Sequence, residues 1–163
     1  MQGVWKVIKI RKVKMRDLDE VVELYFEFLS YTNKFGRFVY KKRPKIDRKK
    51  LKRDLKNIIK TNPRRMFLVA EDSEKLLGFI QAEILSPKES KTNKKVIEIV
   101  DIYSKQKRKE IGRKLFKEIE KWAGINKTEF IQWEFVYGNK LAEKFCVKNK
   151  FKYFKIKMLK PLK

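Results

Sequence analysis

The residues best suited to chemistry lie in one stretch, Glu98 to Ala123, which reads EIVDIYSKQKRKEIGRKLFKEIEKWA. Its first part alternates apolar and polar residues as a strand does. Its last part places Ile111, Leu115, Phe116, Ile119, Trp122 and Ala123 on one face of a helix. Between them runs a strongly basic turn that contains Gly112. A strand feeding a basic turn that opens a helix is suited to hold phosphate. The first N–H groups of a helix have no partners within it, and the helix dipole is positive there.

Proton transfer has few possible agents. The chain has no histidine and one cysteine, Cys146. Ser-His-Asp and Cys-His mechanisms are therefore excluded within it, as are an internal disulfide and a cysteine-based zinc cluster. The remaining agents are a Glu or Asp with a shifted pKa, a tyrosine such as Tyr103 or Tyr137, Cys146, or water.

The 163 residues fit one domain, 1–163, and an apolar share of 42% is enough for a core. The formal net charge of +24 favours anionic partners: nucleic acid, a phosphorylated cofactor or an acidic surface. A Lys-rich composition as such gives the same figure, because the lysines are spread along the chain rather than blocked. No apolar run is long enough for a signal peptide or a membrane span, so a soluble, cytoplasmic protein is expected and no membrane partner.

Several elements must position the central stretch. Val4–Val13 is expected to form a strand. Asp17 is expected to cap a helix with Leu18, Val21, Val22, Leu24, Tyr25, Phe28 and Leu29 inward, with Glu20 completing a capping box. Asn33–Pro44 is expected as loop, and Asp47 as the cap of a second helix ending at Asn62-Pro63. Met66–Ala70 and Leu76–Leu85 should form a hairpin about the turn Asp72–Lys75, followed by a loop over Ser86–Lys94. After the strand Val96–Tyr103 and its helix come a strand over Phe130–Val136, a helix opened by Gly138-Asn139 and a last strand over Phe151–Leu159. This order predicts a mixed α/β fold, antiparallel in its first half and with a parallel, right-handed strand–helix–strand unit in its second.

The order of elements and the stretch IVDIYSKQKRKEIGRKLF resemble the GCN5-related N-acetyltransferases (GNAT), over nearly the whole chain. The hairpin MFLVAEDSEKLLGFIQAEI is similar to that family's second and third strands. NKLAEKFCVKNKF is similar to its last helix and following strand, with Asn139, Ala142, Phe145 and Phe151 in matching places. The resemblance implies a central mixed sheet of six to seven strands flanked by four helices, and acetyl-CoA as co-substrate with no metal.

It also implies roles. The backbone of Val100, Asp101 and Ile102 would pair with the pantetheine arm. Lys107, Arg108, Lys109, Glu110, Ile111, Gly112, Arg113 and Lys114 would cradle the pyrophosphate, and Asn139 would hydrogen-bond the pantetheine. Glu98 stands where the family often places a general base, with Asp101 and Glu134 as further candidates. Cys146 stands where many members have a tyrosine that protonates the leaving thiolate. Two departures stand out. Lys107 replaces the usual Arg or Gln of the phosphate motif, and Glu110 replaces its first Gly, putting a carboxylate near a dianion.

The activity implied is transfer of an acetyl group from acetyl-CoA to a primary amine on a small molecule or protein. The alternative is a protein of the same fold that binds nucleic acid through its charge and through Phe35, Phe38, Tyr40, Phe151, Tyr153 and Phe154. Exposed aromatic residues in the last strand would allow a homodimer.

Overall fold

Alternation and burial decide where the sheet forms. The computed structural model describes residues 8–36, 45–60, 62–90, 92–105 and 109–162. Strand β1 (Lys9–Lys12) is followed by a single 3-10 turn and helix α1 (Leu18–Thr32), then by α2 (Arg48–Ile59). The hairpin is β2 (Arg65–Asp72) and β3 (Lys75–Leu85). Its two turn residues, Ser73 and Glu74, have φ of 49° and 65°. Left-handed backbone at both positions matches the right-handed twist of the paired strands. A one-turn helix, α3 (Pro87–Ser90), lies inside the expected loop, with proline at a first helical position where its missing N–H costs nothing. Then come β4 (Val96–Ser104), α4 (Lys109–Ile125), β5 (Phe130–Trp133) and α5 (Lys140–Lys148).

The sheet runs in chain order from β1 to β5. Its first four strands are antiparallel, and β4 pairs with β5 in parallel across the α4 crossover. The expected mixed topology holds. Strand count does not: the described residues form five strands rather than six to seven, and Phe151–Leu159 makes no strand. Its alternation gives it an apolar face as a strand, but a strand is made by pairing, and the segment pairs with no described strand. Likewise β5 stops at Trp133 rather than Val136, and the described residues form five helices, one of them the single turn α3, where four were expected.

One face of the sheet packs on α1 and α2 through Val21, Leu24, Tyr25, Leu55, Phe67, Val69 and Phe79. The other packs on α4 through Ile80, Ile97, Ile99, Ile111, Leu115 and Ile119. Asp47 caps α2 by accepting from the N–H groups of Lys49 and Lys50. The expected capping box at α1 does not form. Buried Asp17 instead accepts from Arg11 at 2.6 and 3.0 Å, and Arg11 also reaches Glu71 on β2. Glu20 accepts the N–H of Leu76 on β3 at 2.6 Å. Both carboxylates thus fasten α1 to the sheet, because tertiary partners outbid the local cap.

Candidate active site

The geometry of the site starts from one irregularity in β4. Against β3, Gln81 is opposite Asp101 while Ala82 is opposite Ile99, so Val100 is an extra residue, a β-bulge. On its other side β4 pairs with β5 only from Val96 to Ile99. Among the described residues no strand pairs with Val100–Tyr103 on that edge. The two parallel strands therefore part at the bulge, at the carboxyl end of β4, where crevices form in such sheets. The strand then leads within a few residues to the N-terminus of α4.

Gly78 on β3 makes this junction possible. A Cβ there would lie 2.5 Å from the carbonyl oxygen of Tyr103, 3.1 Å from Cα of Ser104 and 3.2 Å from Cγ2 of Ile111. The end of β4 and the first turn of α4 are packed onto its bare backbone. Gly112, expected in the turn, is instead the fourth residue of α4. Its missing side chain faces the Phe145 ring at 3.4 Å and Ile102 at 3.9 Å, toward the protein interior.

Lys107 and Arg108 lie outside the described residues. Of Lys109 the backbone, which opens α4, is described. Glu110 is exposed in the first helical turn, where a carboxylate suits the positive end of the dipole. Ile111 is buried in the core, Arg113 is exposed and Lys114 half-buried. The helix start thus offers backbone N–H groups and two described cations beside an unpaired strand edge. A pantetheine arm can add to such an edge as an extra strand, and a pyrophosphate suits such a helix start, so the residues fit acyl-CoA.

The face toward α1 carries the titratable groups. Tyr25, buried on α1, donates to Gln81 Oε1 at 2.7 Å and lies 3.1 Å from Asp101 Oδ2. Burial pushes the Asp101 carboxyl above its ordinary value, and the Tyr25 hydroxyl pulls it part of the way back. Tyr103 packs at a tilt against Phe28 and Phe79 and donates to Glu27 at 3.1 Å; burial, with that carboxylate, pushes it up to about 12. Glu98 lies lower on β4, in the part still paired with β5, and accepts from Gln132 at 3.3 Å. Its neighbours Ile97 and Ile99 pack toward α4, so Glu98 faces the α1 side. Glu134 is exposed just past β5.

Asn139 caps α5. Its Oδ1 accepts from the Ala142 N–H and from the Tyr31 hydroxyl, both at 3.2 Å, which ties the end of α1 to the start of α5. Cys146 is buried on α5, and burial pushes its thiol up to about 11. The split in the sheet, the α4 start and Asp101 thus lie together at the end of β4, while Asn139 joins α1 to α5, Glu98 sits below the split and Cys146 is buried on α5.

Tyr25, Gln81, Gly78 and the bulge were not foreseen as site features. Gln81 could have been, as the one uncharged polar side chain in the apolar run LLGFIQAEIL. Of the aromatic residues proposed to stack on bases, Phe38 and Tyr40 lie outside the described residues. Phe35 packs on Tyr31 and Phe151 on Phe116. Among the described residues no cluster of His, Cys, Asp or Glu could hold a metal, and no helix is long and apolar enough to cross a membrane.

A model of the acetyltransferase (GNAT) family matches residues 19–151. Among solved structures, a tetramutant of the BH1408 protein from Bacillus halodurans is similar, with TM-score 0.78 at 19% identity over 94% of this chain and 99% of that one. PaiA N-acetyltransferase from Thermoplasma acidophilum, in complex with coenzyme A, gives TM-score 0.69 at 24% identity over 90% of each chain. An aminoglycoside acetyltransferase, meta-AAC0020, from an uncultured soil metagenomic sample in complex with trehalose gives 0.67 at 19% over 96% and 97%. Likeness at these identities shows a shared fold. Among curated protein sequences no match is found.

Proposed function

The chain belongs to the acetyltransferase (GNAT) family, and on that premise we propose that it transfers an acetyl group from acetyl-CoA to a primary amine by direct attack. The observation that carries this reading is the parting of β4 from β5 at Val100, immediately before the N-terminus of α4. It leaves a strand edge and a helix start side by side, which is what an arm of amides ending in a pyrophosphate requires.

Acetyl-CoA supplies an acyl group activated as a thioester. The peptide groups of Val100, Asp101 and Ile102 bind the pantetheine amides. The first turn of α4, with Arg113 and Lys114, faces the phosphates, and Glu110 competes for the same positive helix end. Asp101 takes the proton from the attacking amine. Its support is position and environment: it is the first carboxylate beyond the split, and burial makes it a stronger base than an exposed one. Glu98, in the paired part of β4, is the second candidate.

Cys146 is a poor acid for the leaving thiolate. Moving a proton from a thiol at about 11 to an ordinary thiolate near pKa ~8.5 is uphill by roughly 3 kcal/mol. In this reading the coenzyme A thiolate leaves as the anion and takes its proton from bulk solvent after it has left, while Asp101 returns the amine's proton to solvent.

The test has two parts. Saturating coenzyme A should raise the melting temperature by mass action, and acetyl-CoA with a panel of amines should release thiol. Asp101→Asn should lower kcat by about 100-fold or more while leaving the coenzyme A shift intact; Glu98→Gln should cost far less. Absence of a coenzyme A shift would overturn the cofactor reading. Equal activity of Asp101→Asn and wild type would remove Asp101 as base.

A further inference from the structure

The lysines are spread along the sequence, but the fold groups some of them on one surface. Helix α2, RKKLKRDLKNII, carries six Lys and Arg and one acidic residue in 12 positions. Its apolar residues, Leu51, Leu55, Ile58 and Ile59, pack into the core shared with α1 and the sheet. Arg48 and Lys52 pair with Glu23 and Asp19 of α1. Lys49, Arg53 and Lys56 recur at intervals of four and three, so they share the face turned away from the core. Lys60, at the C-cap, follows at the next interval of four. All four are exposed. Arg53 lies 4.0 Å from Asp54, its neighbour in the chain, and among the described residues Lys49, Lys56 and Lys60 pair with no carboxylate.

A row of uncompensated cations attracts a row of anions. Lys49 to Lys56 spans about 10 Å of helix, a length over which one strand of a DNA duplex presents about three phosphates. Other anionic partners fit this face less well. A helix that docks on a membrane inserts apolar side chains, and those of α2 are turned into the core. A single strand is held by bases stacked on aromatic rings. Outside its buried face α2 has only charged residues and Asn57, and Phe26 beside it on α1 is covered by the Arg48 guanidinium at 4.1 Å. A protein partner is anchored by aromatic or large apolar residues, which this face lacks. An RNA duplex is recognised in part through its 2′-hydroxyls, whereas this face offers cations suited to phosphate.

We infer that the outer face of α2 docks on duplex DNA, with Lys49, Arg53, Lys56 and Lys60 against the phosphates of its backbone. Phosphate contacts carry no sequence information, so the binding is independent of sequence. Four such contacts release condensed counterions, and the logarithm of the binding constant should fall against that of the salt concentration with a slope of about −3.6. Between about 50 and 200 mM salt that is a loss of roughly 150-fold. This inference does not rest on the acetyltransferase reading, since it uses neither the split of β4 from β5 nor the start of α4.

Fluorescence anisotropy of a short labelled DNA duplex of mixed sequence, titrated with the full chain across a salt series, reads both affinity and slope. Lys49→Gln with Lys56→Gln should make the slope shallower by about 2. The matched pair Lys144→Gln with Lys148→Gln, exposed on α5, should leave it unchanged. All four substitutions alter exposed helical side chains alone, so both variants should keep the circular dichroism spectrum of the wild type. Absence of duplex binding at low salt overturns the inference, and so does an unchanged slope in the α2 variant. Equal loss of slope in both variants overturns it too, because net charge rather than α2 would then carry the binding. So does tighter binding of the single strand of the same sequence, of an RNA duplex, or of phosphatidylserine vesicles.

Discussion

Gly78→Ala is expected to destabilise the protein, and the sign follows from space alone. Gly78 is not among the residues with left-handed φ, so its backbone suits any residue. In a strand, alanine would ordinarily be favoured by about 0.5–1 kcal/mol, since glycine loses more conformational freedom on folding. The added Cβ, however, would lie 2.5 Å from the carbonyl oxygen of Tyr103, where ordinary contact is roughly 3.5 Å. That oxygen belongs to backbone, and Ser104 and Ile111 close the other directions at 3.1 and 3.2 Å. The end of β4 must retreat by about 1 Å, and overpacking of this kind costs about 1–3 kcal/mol. Because the clash is with backbone, the upper half of that range applies, and the net is a loss of about 1–2.5 kcal/mol, or about 2–10 °C in Tm for a chain of this size. Urea and thermal unfolding measure it.

Gly112→Ala is the internal control. Its Cβ meets the Phe145 ring at 3.4 Å, an ordinary contact, so a mid-helix alanine should stabilise by up to about 1 kcal/mol. Gly78→Ala as stable as wild type would refute the packing argument. Gly112→Ala losing more than it gains would show that the interior at Phe145 is tighter than its distances imply.

Tyr25→Phe removes the hydroxyl shared by Gln81 and Asp101; leaving Gln81 Oε1 buried without it should cost about 1–3 kcal/mol. The Asp101 pKa, which that hydroxyl lowers, should rise, so the acid limb of the pH–rate profile moves to higher pH. Arg11→Met leaves Asp17 buried without its cation and should cost about 3–5 kcal/mol in urea unfolding near neutral pH. In the wild type, burial acts to raise the Asp17 pKa, but bonds from Arg11 and the Lys14 N–H outweigh it and leave the value below 3.8. Its stabilisation is thus present above pH 3.8 and lost as pH falls through the folded value. Arg11→Met should abolish that part of the acid slope. Cys146→Ala should leave the pH–rate profile in place, because a thiol at about 11 donates poorly; loss of the alkaline limb alone would restore it as the acid.

The sequence by itself determined the order of elements from β1 to α5, the one-turn α3 apart, the faces of α1 and α4 and the mixed topology of the sheet. These follow from period and punctuation: the buried face of α4 is the one its spacing predicts, and the acidic turn at Asp72–Lys75 makes the hairpin. The junction of β4 and α4, where the phosphates are proposed to bind, was legible too, because the strand and the helix are contiguous in the chain. What the tertiary structure decided are the relations between distant residues. Alternation cannot announce a bulge, since Val100 becomes surplus only against the register of β3. Asp17 and Glu20 carry the signature of a cap, yet Arg11 and the Leu76 N–H claim them from other elements. Gly78 and Gly112 are the same residue type, and only packing tells them apart: one lies under the backbone of β4, the other beside a yielding ring. The segment after α5 marks the limit of local reading, since Phe151–Leu159 has the period of a strand yet pairs with no described strand, and pairing is a relation between distant segments.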